Sequence, residues 1–136
     1  MLTQKTVNDI AYKIIGCAIE VHKQLGPGLL ESVYHECMIE EIGCSGLQTQ
    51  SQVWIPLYYR DKQLQGKLVL DLLVENCVIV ELKAVDGVLP VHKAQLLSYL
   101  KLTGKPKGIL INFHVENIVQ NAVHLVSEVF AMLPPS

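Results

Sequence analysis

Apolar positions recur at helical spacing from Ile10 through Ile14, Cys17, Ala18, Val21 and Leu25, which predicts an amphipathic helix capped at Thr6 or Asn8. Gly26-Pro27-Gly28 ends it, because glycine admits positive φ and proline cannot continue the ladder. A second helix over 29–41 follows, with Leu29, Leu30, Val33, Cys37 and Met38 as its apolar set and a close between Gly43 and Gly46. Residues 52–59 are rich in β-formers, and Pro56 marks an edge position or a bulge. Arg60-Asp61-Lys62 reads as a turn. Two nearly continuous apolar strands, 67–74 and 78–84, are then joined by Glu75-Asn76-Cys77, a composition that predicts a sheet covered on both faces. The pattern closes with a helix over 91–102, a break at Gly104-Lys105-Pro106, a short strand at 108–112 and a final helix over 117–132. This α-α-β-β-β-α-β-α order predicts an α/β fold, a mixed sheet with helices on its faces, in a single domain spanning 1–136.

Charges inside that apolar pattern carry the chemistry. In Val-Ile-Val-Glu-Leu-Lys-Ala, residues 78–84, Glu81 and Lys83 lie two apart and share one face of a strand. Such groups are costly in an apolar strand unless paired or liganded. Asp71 poses the same problem in the preceding strand. Asp71 opposes Glu81 only if Val74 pairs with Val78 across a three-residue loop; a two-residue loop would put the carboxylates on opposite faces. The first register is expected here. Two carboxylates on one face suit Mg2+ or Mn2+, which take oxygen ligands and keep several waters. Lys83 beside them could orient a nucleophilic water or stabilise a phosphodiester transition state. The same triad could equally be a buried charge network without catalytic work. On the helix over 91–102, His92, Gln95 and Tyr99 fall on one stripe, and on the second helix Glu31, Tyr34 and His35 are neighbours. Both sets could face the acidic centre, or each could be a satisfied polar group at the core margin.

Composition narrows the classes. The formal net charge is −2 with a single arginine, Arg60, which counts against binding nucleic acid by bulk electrostatics. Local clusters remain at Arg60, Lys62 and Lys67 and at Lys101, Lys105 and Lys107. No apolar run is long enough for a membrane span and no signal-peptide pattern is present, so a cytoplasmic protein without a membrane partner is expected. The four cysteines form no C-x-x-C pair and read as small hydrophobes. Half of the residues are hydrophobic, which makes a homodimer through apolar helices a further option.

Gly28-Leu-Leu-Glu31-Ser-Val-Tyr34 resembles the signature of the GxxExxY family. Asp71, Glu81-Leu-Lys83 and Gln95-Leu-Leu-Ser-Tyr99 are similar to the D…ExK and QxxxY motifs of the PD-(D/E)XK nuclease superfamily. The resemblance implies a restriction-endonuclease-like core, a four-stranded mixed sheet flanked by helices, with a divalent metal at Asp71 and Glu81. It implies that Lys83 is the catalytic lysine and that Glu31 is a further acidic group at the metal or just behind it. Gln95 and Tyr99, and with them Tyr34 and His92, would contact substrate or support the site. Many relatives carry arginine two residues before the aspartate, where this chain has Val69. Two functions follow as expectations: a metal-dependent nuclease hydrolysing DNA or RNA, or a non-catalytic module of the same fold that binds a protein or nucleic acid.

Overall fold

A computed structural model describes all residues from Met1 to Ser136. Helix α1 (Gln4–Leu25) is capped by Thr3, whose hydroxyl accepts from the Thr6 amide at 3.1 Å, three residues earlier than the first of the expected caps. It stops where Gly26 adopts φ 67°, the left-handed region that glycine enters without strain. Helix α2 (Glu31–Cys44) begins two residues later than its apolar pattern predicts and buries Tyr34, Met38 and Ile42 rather than Leu29, Leu30 and Val33. Its true stripe has a strict spacing of four, with an aromatic alcohol as its first member.

Strands β1 (Thr49–Tyr59) and β2 (Lys62–Val74) form a long antiparallel hairpin, and β1 is the sheet edge, with an irregularity between Pro56 and Tyr58. Both expectations for Pro56 are met, since an edge position and a bulge each tolerate the missing amide. Strand β3 (Val78–Lys83) pairs antiparallel with β2. Helix α3 (Pro90–Thr103) then carries the chain across so that β4 (Lys107–Asn112) runs parallel to β3. No helix is long and apolar enough to cross a membrane.

The segment 117–132, expected as one helix, is instead α4 (Ile118–Asn121), β5 (Val123–Val126) and α5 (Glu128–Met132). The sheet therefore has five strands in the order β1-β2-β3-β4-β5, not four. Two caps divide the segment: the Asn117 side chain accepts from the Gln120 amide, and Ser127 from the Val129 amide. Between them, β5 pairs antiparallel with β4 and satisfies a backbone edge that would otherwise lie open.

The sheet is covered on both faces. Helices α1 and α2 pack on one, over Leu72, Val74, Val80, Leu82, Ile109 and Ile111. Helix α3 covers the other with Leu96 and Leu100, over Leu73, Ile79 and Leu110. On that side Gly108 has no room for a side chain, since a Cβ would stand 2.7 Å from Leu96 Cδ1 and 3.1 Å from its Cγ. Gly108→Ala is expected to cost about 1–3 kcal/mol through this overpacking, read from urea unfolding; an unchanged midpoint would show that α3 shifts freely.

Candidate metal and hydrolytic site

Register decides whether the acidic residues meet. Val74 pairs with Val78, Leu73 with Ile79 and Leu72 with Val80, across the three-residue connection. This is the register expected from the sequence, and its continuation sets Asp71 opposite Glu81. The regular ladder stops one pair short of them, and side chains take over. The Leu82 amide donates to Asp71 Oδ2 at 2.8 Å, and the Asp71 amide reaches Glu81 Oε1 at 3.4 Å. Each carboxylate thus occupies a hydrogen bond that the opposing backbone would have supplied. Beyond this point β3 continues along β4 through Lys83, while β2 keeps its partner β1. The acid pair sits where the two strands part.

Local irregularity marks the same place on β1. Gln52, which would pair with Asp71 in the β1–β2 register, has φ 54°, a left-handed conformation uncommon outside glycine. Leu70 belongs to the α3 face but Leu72 to the opposite face. Side-chain alternation therefore breaks at Asp71.

Burial and like charge govern the pair. Glu81 is 5% exposed, and desolvation first, then the Asp71 charge and side-chain hydrogen bonding with Asp71, push its carboxyl from 4.5 up to about 9, with the Asp71 amide and the nearby Lys83 charge opposing. Lys83 is half-buried and forms an ion pair with neither acid; Lys5 pairs instead with Asp9, and the His114 ring lies 3.2 Å from Asp86. Tyr99 on α3 has its phenol raised by burial and then by the charges of Glu81 and Asp71, so it is close enough to feel both.

A cleft of about 600 Å³ opens on Asp71 from the α2 side. Glu31, Ser32, His35 and Glu36 from α2 line it together with Ser51 and Gln52 from β1. His35 Nε2 lies 2.8 Å from Ser51 Oγ, a hydrogen bond that ties the helix to the strand. Glu31, at the first turn of α2, therefore shares a cavity with Asp71. The sequence offered no signal for Ser51 and Gln52, since their place depends on how α2 packs against β1.

The remaining candidates separate. Gln95 is exposed on α3, one turn before Tyr99. His92 turns back on its own helix, its Nδ1 accepting from the Leu89 amide at 3.0 Å as an N-terminal cap. Tyr34 is fully buried, its hydroxyl donating to the Gly26 carbonyl at 2.5 Å and accepting from the Leu29 amide at 3.2 Å. Its ring stacks on Phe113 with centroids 4.4 Å apart. Val69 lies opposite Trp54 on the hairpin.

A family model described as the PD-(D/E)XK nuclease superfamily matches residues 8–124. The chain belongs to that superfamily. Nucleases of the PD-(D/E)XK superfamily generally use divalent metals, and the donors here can be tested against that requirement. Nowhere in the chain do three or more His, Cys, Asp or Glu side chains converge as a ready ligand cluster. A magnesium-type ion needs fewer, since it keeps several waters and is held by one or two carboxylates. Asp71 and Glu81 are all-oxygen donors whose mutual repulsion a cation would relieve, so they fit. Among solved structures, the crystal structure of SSO0001 is similar, with a TM-score of 0.54 and 21% identity over 74% of this chain. That likeness is one of fold, and this PD-(D/E)XK chain spans 55% of the length of that one. No curated protein matches.

Proposed function

We propose that this chain is a metal-dependent phosphodiesterase of the nuclease type, with a divalent cation held by Asp71 and Glu81. The observation that carries the reading is the acid pair itself: two carboxylates placed together by strand register where β2 and β3 part, one of them buried at a cost that only a proton or a cation offsets. A bound Mg2+ or Mn2+ supplies Lewis-acid chemistry there, polarising a phosphoryl oxygen and acidifying water.

The residues of the chain divide the other tasks. Asp71, which lines the cleft, is fixed by the Leu82 amide, which pre-orients one of its carboxylate oxygens. Lys83, close to Glu81 yet not ion-paired with it, keeps its ammonium for the attacking water or the developing phosphorane charge. Glu31 lines the same cleft as Asp71 and would accept a hydrogen bond from a water there or receive a proton. Tyr99, near both acids, and Gln95, one turn earlier on the same helix, extend the site along α3 toward a substrate strand.

Calorimetry with Mn2+ and Mg2+ tests this. Asp71→Ala and Glu81→Ala are each expected to weaken binding at least about tenfold, because each removes a ligand from a site with few of them. Hydrolysis of single- and double-stranded DNA and RNA should follow the metal and require Lys83. Absence of both metal binding and cleavage in the wild type would defeat the reading and leave a binding module of nuclease fold.

A further inference from the structure

The outer half of the β1–β2 hairpin projects beyond the two-layered core, and its residues are exposed on both faces from Tyr58 to Gly66. It carries large aromatics in the open: Trp54 is 62% exposed, Tyr58 59% and Tyr59 63%. Monomeric surfaces rarely present such rings together without use. The hairpin also concentrates charge. Arg60, the only arginine of the chain, stands with Lys62 and Lys67 against the lone carboxylate of Asp61, on a protein whose net charge is −2.

Rings and cations are paired. The Lys67 ammonium sits 4.6 Å from the centroid of the Trp54 ring, and the Arg60 guanidinium 5.7 Å from that of Tyr59. Each pair presents a π-face with a positive charge beside it. A nucleotide presents the complement, a flat base joined to an anionic phosphate. Base on ring and phosphate on displaced cation would satisfy both at once. An acidic protein would meet the cations but leave the rings uncovered, and a second copy would bring one positive arm against another.

Placement links the arm to the acid pair. Trp54 lies two residues beyond Gln52, which lines the cleft containing Asp71, and two residues span about 7 Å of strand. We infer that this hairpin is a single-stranded nucleic-acid arm, on which bases stack at Trp54 and Tyr58 on one face and at Tyr59 on the other, while Arg60, Lys62 and Lys67 hold the intervening phosphates. On the nuclease reading, on which this inference rests for its ligand, the arm delivers one strand to Asp71 and Glu81.

Trp54 is the single tryptophan of the chain, so its fluorescence reports on the arm directly. The test titrates the full chain in EDTA with a twelve-residue oligothymidylate. Saturable quenching is expected, weakening roughly tenfold to twentyfold between 50 and 200 mM salt if three phosphates are neutralised. Lys67→Ala should flatten that salt dependence, and the Tyr58→Ala/Tyr59→Ala pair should weaken binding at least about fivefold. All three positions are exposed, so unchanged circular dichroism and melting are expected to accompany these losses. Glu81→Gln should keep the quenching while losing metal-dependent cleavage. Cleavage by the wild type without any quenching would overturn the arm and leave the nuclease reading standing. Quenching without cleavage would do the reverse. Fluorescence that answers to protein dilution but not to oligonucleotide would make the arm a self-contact and also overturn the inference.

Discussion

Glu81→Gln is expected to give a protein that is more stable than the parent at neutral and alkaline pH and has lost its metal-dependent hydrolysis. The carboxyl of Glu81 is raised from 4.5 to about 9 in the folded chain, chiefly by burial and by the Asp71 charge. Between those two values the folded protein holds a proton that the unfolded chain has released, so stability falls as pH rises through this window. Below pH 4.5 both states are protonated and nothing is lost. At pH 7 the cost amounts to about 3 kcal/mol, and it approaches its full size near pH 9. Glutamine has the shape of the protonated acid, can accept from the Asp71 amide and can donate to the Asp71 carboxylate, so it removes the cost without opening a cavity. Urea unfolding of both proteins at pH 5, 7 and 8.5 measures it. The two unfolding free energies should converge near pH 5 and separate by several kcal/mol at pH 8.5. Saturating Mn2+ should narrow the gap by stabilising the parent alone. Hydrolysis should fall at least about 100-fold, because the neutral amide is a poor ligand for a hard cation. A parent as stable as the variant at pH 8.5 in EDTA would show that the acid pair carries no strain to be relieved.

That trade is the physical content of the site. A charged group in the middle of an apolar sheet lowers the stability of the fold, and function is the ordinary reason such a group persists. The structure places this cost at the divergence of β2 and β3, where backbone amides are free to bind carboxylates instead of completing a ladder.

The acid pair was legible in the sequence because strand parity is discrete. Three connecting residues put Asp71 and Glu81 on one face, two would not, and near-continuous apolar strands leave little room for a slip. Helix α1 was legible because its periodicity runs from Ile10 to Leu25 with glycine at its end. The stripe of α2 was misread because Tyr34 is amphipathic: its ring belongs to the core, while its hydroxyl made it a candidate for the site. The tail was misread because 117–132 has enough apolar residues for either periodicity, and the open edge of β4 decides in favour of a strand. Glu31 and His35 were legible as neighbours on α2 that could face the acids, but the cleft lining at Ser51 and Gln52 was beyond the sequence, since it arises from the docking of α2 on β1 and a left-handed residue that no side-chain pattern announces.

The second large effect concerns Tyr34, which the signature places near the substrate and the structure places in the core. Tyr34→Ala is expected to destabilise the protein by about 4 kcal/mol, the range for removing a fully buried aromatic. The loss has three parts. The ring leaves its stack on Phe113, just past the end of β4. The hydroxyl leaves the Gly26 carbonyl and the Leu29 amide, which bracket the turn between α1 and α2. Glu31, at the start of α2, then loses the anchor that fixes where its helix begins. Tyr34→Phe separates these contributions, since it keeps the ring and removes only the two hydrogen bonds, for about 1–2 kcal/mol. In that variant the melting temperature should fall while the affinity for oligonucleotide, measured well below the transition, stays within about twofold, since the hydroxyl is spent on the turn rather than on a ligand. A Tyr34→Phe protein that melts like the parent but binds or cleaves its substrate poorly would put the hydroxyl back at the substrate and require the turn between α1 and α2 to open in the working enzyme.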